Sequence, residues 1–152
     1  MASAIVAYLH YLSIFVLFAL LTFEHVQFKL PLDLPRARSL ARIDMAYGIT
    51  ALLVLGSGLA RALWYGKGPA YYLHNGLFHA KVTLFVLVGL LSIVPTLMFI
   101  GWRGALGAGQ VPRVDERQGH RVTLLIRLEL GLLLVIPLLA VLMARGYGMF
   151  GA

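Results

Sequence analysis

The sequence predicts an all-α integral membrane protein, folded as a four-helix up-down bundle. Three observations predict it. Hydrophobic residues make up 61% of the 152 residues and charged residues only 12%, with mean hydropathy +0.87. Soluble domains run at roughly 45–50% apolar and about 25% charged. Four stretches reach the ~20 apolar residues that a spanning helix needs. The connections between them are short and rich in turn-forming residues, so neighbouring helices should run antiparallel. A chain of this length is expected to form a single transmembrane domain, residues 1–152.

The first expected span covers about residues 4–27, and Pro31 and Pro35 punctuate the connection after it. It lacks a basic leading region and carries Glu24 and His25 near its end, so it is read as a retained helix and not a cleavable signal. The second span runs over about 43–64 and ends before Gly66, Gly68 and Pro69. On it, Gly48, Gly56, Gly58 and Ala60 should permit close helix approach. The third covers about 76–100, followed by Gly104, Gly107, Gly109 and Pro112. The fourth covers about 124–144, with Arg113 to Arg121 leading into it as a surface segment. Pro95 and Pro137 fall inside spans, which membrane helices tolerate.

Charge placement gives the expected orientation. Lys29, Arg36, Arg38 and Arg42 sit around the first connection, and Arg103, Arg113, Arg117 and Arg121 around the third. The opposite side has chiefly Arg61, Lys67 and Arg145. By the positive-inside rule the first and third connections are expected to be cytoplasmic and both termini outside. The same distribution explains the net charge of +7 without a nucleic-acid partner. Trp64, Tyr65, Tyr71 and Tyr72 read as an outer aromatic belt and Trp102 as an inner anchor.

Ionisable groups within spans are costly and are candidates for function. They are His10, Glu24, His25, Asp44, His79, Lys81, Arg127 and Glu129. At 3.6 residues per turn, His10, Ser13, Leu17, Leu21 and Glu24 share one face, which should turn inward. His10 and His25 lie about 22 Å apart along the axis, too far to hold one metal ion. On the third helix Lys81 shares a stripe with Phe85, Val88, Ser92, Pro95 and Phe99, while His79 points about 160° away. The Lys81 stripe is expected to face the interior.

His10 and Lys81 enter from the same side at similar depth. A His and a Lys or second His on two helices form a suitable axial pair for a haem in a bundle. The alternative is that His10 bonds across helices and Lys81 reaches out to the surface. Nearer the other side lie Glu24, Arg42, Asp44, Arg127 and Glu129. Candidate ion pairs there are Glu24 with Arg127, and Asp44 or Glu129 with Arg42. The same groups are also candidates for a proton path or an anion site. The absence of cysteine excludes thiolate metal sites and disulfides.

Certain runs carry a resemblance. They are His10 to Glu24, Trp64 with Lys67, Leu77-Phe78-His79-Ala80-Lys81, Leu91-Ser92-Ile93-Val94-Pro95-Thr96, Ile126-Arg127-Leu128-Glu129-Leu130 and Met143-Ala144-Arg145-Gly146. Along its whole length the chain resembles a bacterial family of four-span membrane proteins of unknown function. It is more distantly similar to HemJ-type protoporphyrinogen oxidases, which bind haem b, and to CopD-like membrane domains linked to copper uptake. The HemJ-type resemblance implies haem ligation by the first-helix His10 and the third-helix Lys81. Phe15 to Phe23 lacks the tryptophan, glycine and proline-arginine pattern of that group, so a haem scaffold is implied more directly than the porphyrinogen chemistry. The resulting expectation is a haem b protein, a possible oxidoreductase passing electrons to quinone or another respiratory carrier. His10 and Lys81 are the axial ligands and His79 is in reserve. Phe78 and Phe85 wall the pocket, and Arg61 or Lys67 partner the propionates. The alternatives are a cofactor-free assembly subunit or small transporter, or metal-ion handling through His10, His74 and His79. A homodimer is a further expectation.

Overall fold

The structure, a computed structural model, describes residues 1–149; residues 150–152 of the expected domain lie outside them. Six α-helices follow in chain order: α1 (Ala2–Gln27), α2 (Leu34–Ala60), α3 (Pro69–Leu73), α4 (Gly76–Gly101), α5 (Arg103–Gly107) and α6 (Glu116–Ala144). Four of them, α1, α2, α4 and α6, are long and apolar enough to cross a membrane. The two short ones lie in the connections on either side of α4.

Local chemistry sets the ends. Asp33 caps α2 by accepting from the Arg36 N–H at 2.8 Å, with Pro35 in the first turn where its missing N–H costs nothing. Asp115 caps α6 in the same way through the Gln118 N–H at 2.7 Å. These caps start α2 at Leu34 and α6 at Glu116, a little over two turns before the apolar spans expected at 43 and 124. The polar first turns of both helices therefore project beyond the apolar slab. Asn75 caps α4, its side chain accepting from the N–H groups of Leu77 and Phe78. Its amide also donates to the Tyr147 carbonyl at 3.0 Å, which ties the end of the described chain to the start of α4. Beyond Ala60 the second helix widens into a π turn, Arg61–Tyr65, and Gly68 at φ 89° turns the chain into α3.

The helices form two hairpins, α1 with α2 and α4 with α6. Contacts of α1 with α6 and of α2 with α4 close the ring, leaving α1 opposite α4 and α2 opposite α6. Both described ends of the chain and the 61–75 connection lie on one face, called here the terminal face. The 28–33 and 102–115 connections lie on the other, the loop face.

Leu17, Leu21, Leu40, Tyr47, Val54, Val88, Phe99, Ile126 and Leu133 fill the interior. The Lys81 stripe of α4 turns inward as expected, burying Val88, Pro95 and Phe99. Outward-facing Phe15, Leu52, Leu97 and Leu134 are each more than 60% exposed, the pattern of helices whose outer surface meets lipid tails. At the loop face Phe28, Phe99 and Trp102 stack edge to face, with centroids 6.0 and 4.8 Å apart. Trp102 is thus buried and does not serve as the interfacial anchor expected from its position. Trp102 itself keeps a helical backbone, φ −74° and ψ −12°, between α4 and α5, and its ring packs on Phe99. Gly56 and Gly48 meet no neighbouring side chain. Only Gly58 among the expected close-approach glycines lies against another helix, where an added Cβ would meet the His10 ring at 3.1 Å.

Candidate functional site

Two polar layers cross the apolar interior. His10 and Glu24 mark them on α1, roughly 20 Å apart at 1.5 Å per residue.

The layer nearer the terminal face is basic. His10 on α1 is half-buried, and its Nδ1 lies 2.9 Å from the Ser57 hydroxyl of α2. The Ser57 hydroxyl has one proton. It donates that proton to the Leu53 carbonyl at 2.6 Å, with the Val54 carbonyl at 3.2 Å. Its oxygen is then free to accept from His10 Nδ1–H, in the tautomer that leaves the imidazole lone pair on Nε2. Metal-binding histidines are prepared in this way, one ring nitrogen donating to the protein and the other presented to the ligand. The lack of a side chain on Gly58 lets the ring lie flat against α2. Across the bundle, half-buried Lys81 stands on α4 within Coulombic reach of His10 and Arg61. Its ammonium lies 5.6 Å from the Phe78 ring centroid. The Arg61 guanidinium lies over Tyr11 at 4.9 Å.

His79 takes no part in this layer. It is exposed, and its Nε2 lies 3.0 Å from the Leu73 carbonyl. His74 is likewise exposed and bonds the Ala70 carbonyl. The three histidines considered for metal-ion handling do not converge, and among the described residues no group of three His, Asp or Glu gathers in a metal-holding arrangement. Lys67 is exposed beside Tyr71, where it is too far out to serve this layer as Arg61 does.

The layer nearer the loop face is acidic. Glu24 is 1% exposed, Asp44 6% and Glu129 0%, and they come from α1, α2 and α6. Coulombic interactions link Glu24 to both of the others and Glu129 to Asp44. Tyr47, one turn beyond Asp44, reaches across the bundle and donates to Glu129 Oε2 at 3.1 Å. Thr96 on α4 donates to Asp44 Oδ1 at 2.7 Å. Glu24 Oε2 and Glu129 Oε1 have no hydrogen-bond partner among the described residues. The Phe28, Phe99 and Trp102 stack closes this layer toward the loop face. On its other side lies a cavity of about 80 Å³, lined by Tyr47, Phe85, Ser92 and Thr96 among others.

The expected ion pairs do not form. Arg42 and Arg127 are exposed, and the one salt bridge among the described residues is Arg36 with Asp33 at 2.9 Å, outside the core. The helix wheel gives the reason. Arg42 and Asp44, like Arg127 and Glu129, are two positions apart and point about 200° from each other. When the acids turn inward the arginines turn outward, and their long stems carry the charge to the headgroups.

Sequence reasoning found His10, Lys81 and the three acids but missed the groups that hold them: Ser57, Tyr47 and Thr96. Tyr47 was legible three residues after Asp44 on one helix face. Ser57 and Thr96 carry no such mark, because their roles depend on a partner helix.

The fold and these layers define the class of protein: an integral membrane four-helix bundle with ionisable groups held in its interior. The chain belongs to a family described as predicted membrane protein (DUF2214), whose pattern matches residues 2–148. No curated protein and no solved structure matches it.

Proposed function

We propose that this chain is a haem b protein of the bacterial inner membrane with a redox or electron-transfer role, both termini outside. The observation that carries the reading is the placement of His10. Its Nδ1 lies 2.9 Å from the Ser57 hydroxyl of α2, which orients the ring inside the membrane. In the tautomer that donates through Nδ1, Nε2 is the nitrogen left for a ligand.

His10 and Lys81 would hold the haem iron. The two stand on helices opposite each other in the ring. A lysine ligates only in its neutral form, and binding to the metal displaces its proton. Phe78 and Phe85 keep water from the pocket, and Arg61 offers a cation to a propionate. The haem, when bound, supplies the one-electron chemistry. The chain supplies ligand orientation, a dry wall and a counter-charge. The electron acceptor in this reading is a quinone or another respiratory carrier. HemJ-type porphyrinogen oxidation is one activity such a site could support.

The test is a set of ligand variants read in the visible spectrum of detergent-purified protein given haemin. Wild type gives a low-spin six-coordinate spectrum. His10→Ala loses most of the bound haem. Lys81→Ala retains haem but shifts it to a high-spin form, and His79→Ala changes nothing. A folded wild type that remains colourless after addition of haemin overturns the reading. A spectrum that follows His79 and ignores Lys81 overturns the ligand assignment.

A further inference from the structure

The acidic layer has no part in the haem proposal, and its composition calls for an explanation of its own. Three carboxyl groups from three helices meet in an apolar interior with no cation among them. The charged or titratable groups on every surrounding element are accounted for. On α1, Glu24 is followed by His25, which is only partly buried and has its Nδ1 unpartnered among the described residues. On α2 they are Asp44, Tyr47 and the outward Arg42. On α4 the Thr96 hydroxyl faces the layer, and on α6 they are Glu129 and the outward Arg127. Among the described residues no arginine or lysine pairs with any of the three acids.

Three carboxylates so placed would be three buried negative charges in low dielectric, each repelling the others. Proteins relieve this by neutralising the group or supplying a counter-ion. The donors present, Tyr47 and Thr96, satisfy one oxygen each on Glu129 and Asp44. They leave Glu24 Oε2 and Glu129 Oε1, on side chains all but fully buried, with nothing. A carboxyl oxygen left in that state requires something that the protein does not itself provide. A metal ion would need several donors converging on one point, and the described residues offer no such arrangement. A proton needs only one oxygen, and a protonated carboxyl becomes a donor able to bond its neighbour.

We propose that Glu24, Asp44 and Glu129 form an intramembrane proton-binding site, occupied at neutral pH. The aromatic stack of Phe28, Phe99 and Trp102 covers it on the loop side. The cavity lined by Tyr47, Ser92 and Thr96 opens on the other, and about 80 Å³ is space enough for ordered water. That cavity meets the layer through Tyr47 and Thr96, the donors to Glu129 and Asp44, and its wall includes Phe85, one turn from Lys81. The site stands whether or not haem binds.

Infrared spectroscopy tests it directly. The chain has six acidic residues. The other three, Asp33, Asp115 and Glu116, are exposed to solvent at helix starts. Protein without bound haem in an ester-free detergent at neutral pH is expected to show the C=O stretch of protonated carboxyls, above the amide band, moving down in deuterium oxide. Glu24→Gln and Glu129→Gln should each remove part of that intensity and the double variant most of it. Tyr47→Phe should shift its frequency by withdrawing a hydrogen bond from Glu129. The wild-type band and the Tyr47→Phe shift decide the matter even if a glutamine variant fails to fold. Absence of the band in wild type at neutral pH overturns the proposal. A band that the variants leave unchanged does the same. A band that emerges only when sodium and potassium are removed overturns it in favour of a cation site.

Discussion

The two polar layers solve the same problem in opposite ways. The basic layer is half-buried, and each of its members has somewhere to go: His10 to Ser57, Arg61 to the Tyr11 ring, Lys81 to the Phe78 ring. The acidic layer is almost fully buried, and two of its oxygens have no partner among the described residues. Side-chain length explains much of the contrast. Lysine and arginine can carry charge several ångströms along an apolar wall to the headgroups. Aspartate and glutamate cannot, so once turned inward they stay inward. The lesson is that charge sign and sequence spacing alone do not predict ion pairs in a small bundle. Reach and helix angle decide, and here they send the arginines out and leave the acids together.

Substitutions that bear on this contrast span a wide range of effect. The largest concerns the lid over the acidic layer. Phe99→Ala removes a fully buried ring that touches Phe28 and Trp102, and should cost about 3–5 kcal/mol of bundle stability. Unfolding in mixed micelles measures it, and a loss below about 1 kcal/mol would mean the stack is not packed as described. Next comes the basic layer's support. Ser57→Ala frees His10 Nδ1 and should weaken haem binding about 10–100-fold, as loss of a ligand-orienting partner does elsewhere. Haemin titration followed at the Soret band reads this, and unchanged affinity would remove Ser57 from the site. Tyr47→Phe should cost only about 0.6 kcal/mol, since hydrogen bonds across membrane helices are worth little net. A loss of several kcal/mol in the same unfolding assay would instead make Tyr47 a structural keystone. The smallest effect belongs to the outward arginines. Arg127→Ala and Arg42→Ala should each stay within about 0.5 kcal/mol of wild type. A larger loss would restore the ion pairs with Glu24 or Glu129 that the geometry denies.

Much of the fold was legible because the bilayer leaves few options. Apolar runs of spanning length, broken by Pro31, Gly68 and Gly109, define the four long helices, and the His10–Glu24 face turned inward as the helical angle required. The true starts of α2 and α6 were written in Asp33-Leu34-Pro35 and in Asp115-Glu116, both helix-start signals. Hydropathy passes over them because those turns lie outside the apolar slab. Trp102 was misplaced for a related reason: tryptophan near a span's end usually anchors at the interface, and this one is instead buried against Phe99, three residues before it on the same helix face. The candidate site was half legible. Ionisable residues in an apolar run announce themselves, and the wheel separated Lys81 from His79. The partners Ser57 and Thr96 did not, because a hydroxyl in a membrane helix commonly bonds its own backbone. Both become informative only when another helix is placed beside them.

The haem proposal has His10, held at Ser57 through Nδ1, offering Nε2 to the iron. Its most direct test is the absorption spectrum of wild type and His10→Ala, purified in detergent with added haemin, oxidised and then reduced with dithionite. The account predicts a Soret band with sharp α and β bands on reduction in wild type, and their near-complete loss in a folded His10→Ala protein. A folded wild type with no absorbance beyond its aromatic peak, or an unaltered spectrum in His10→Ala, would contradict it.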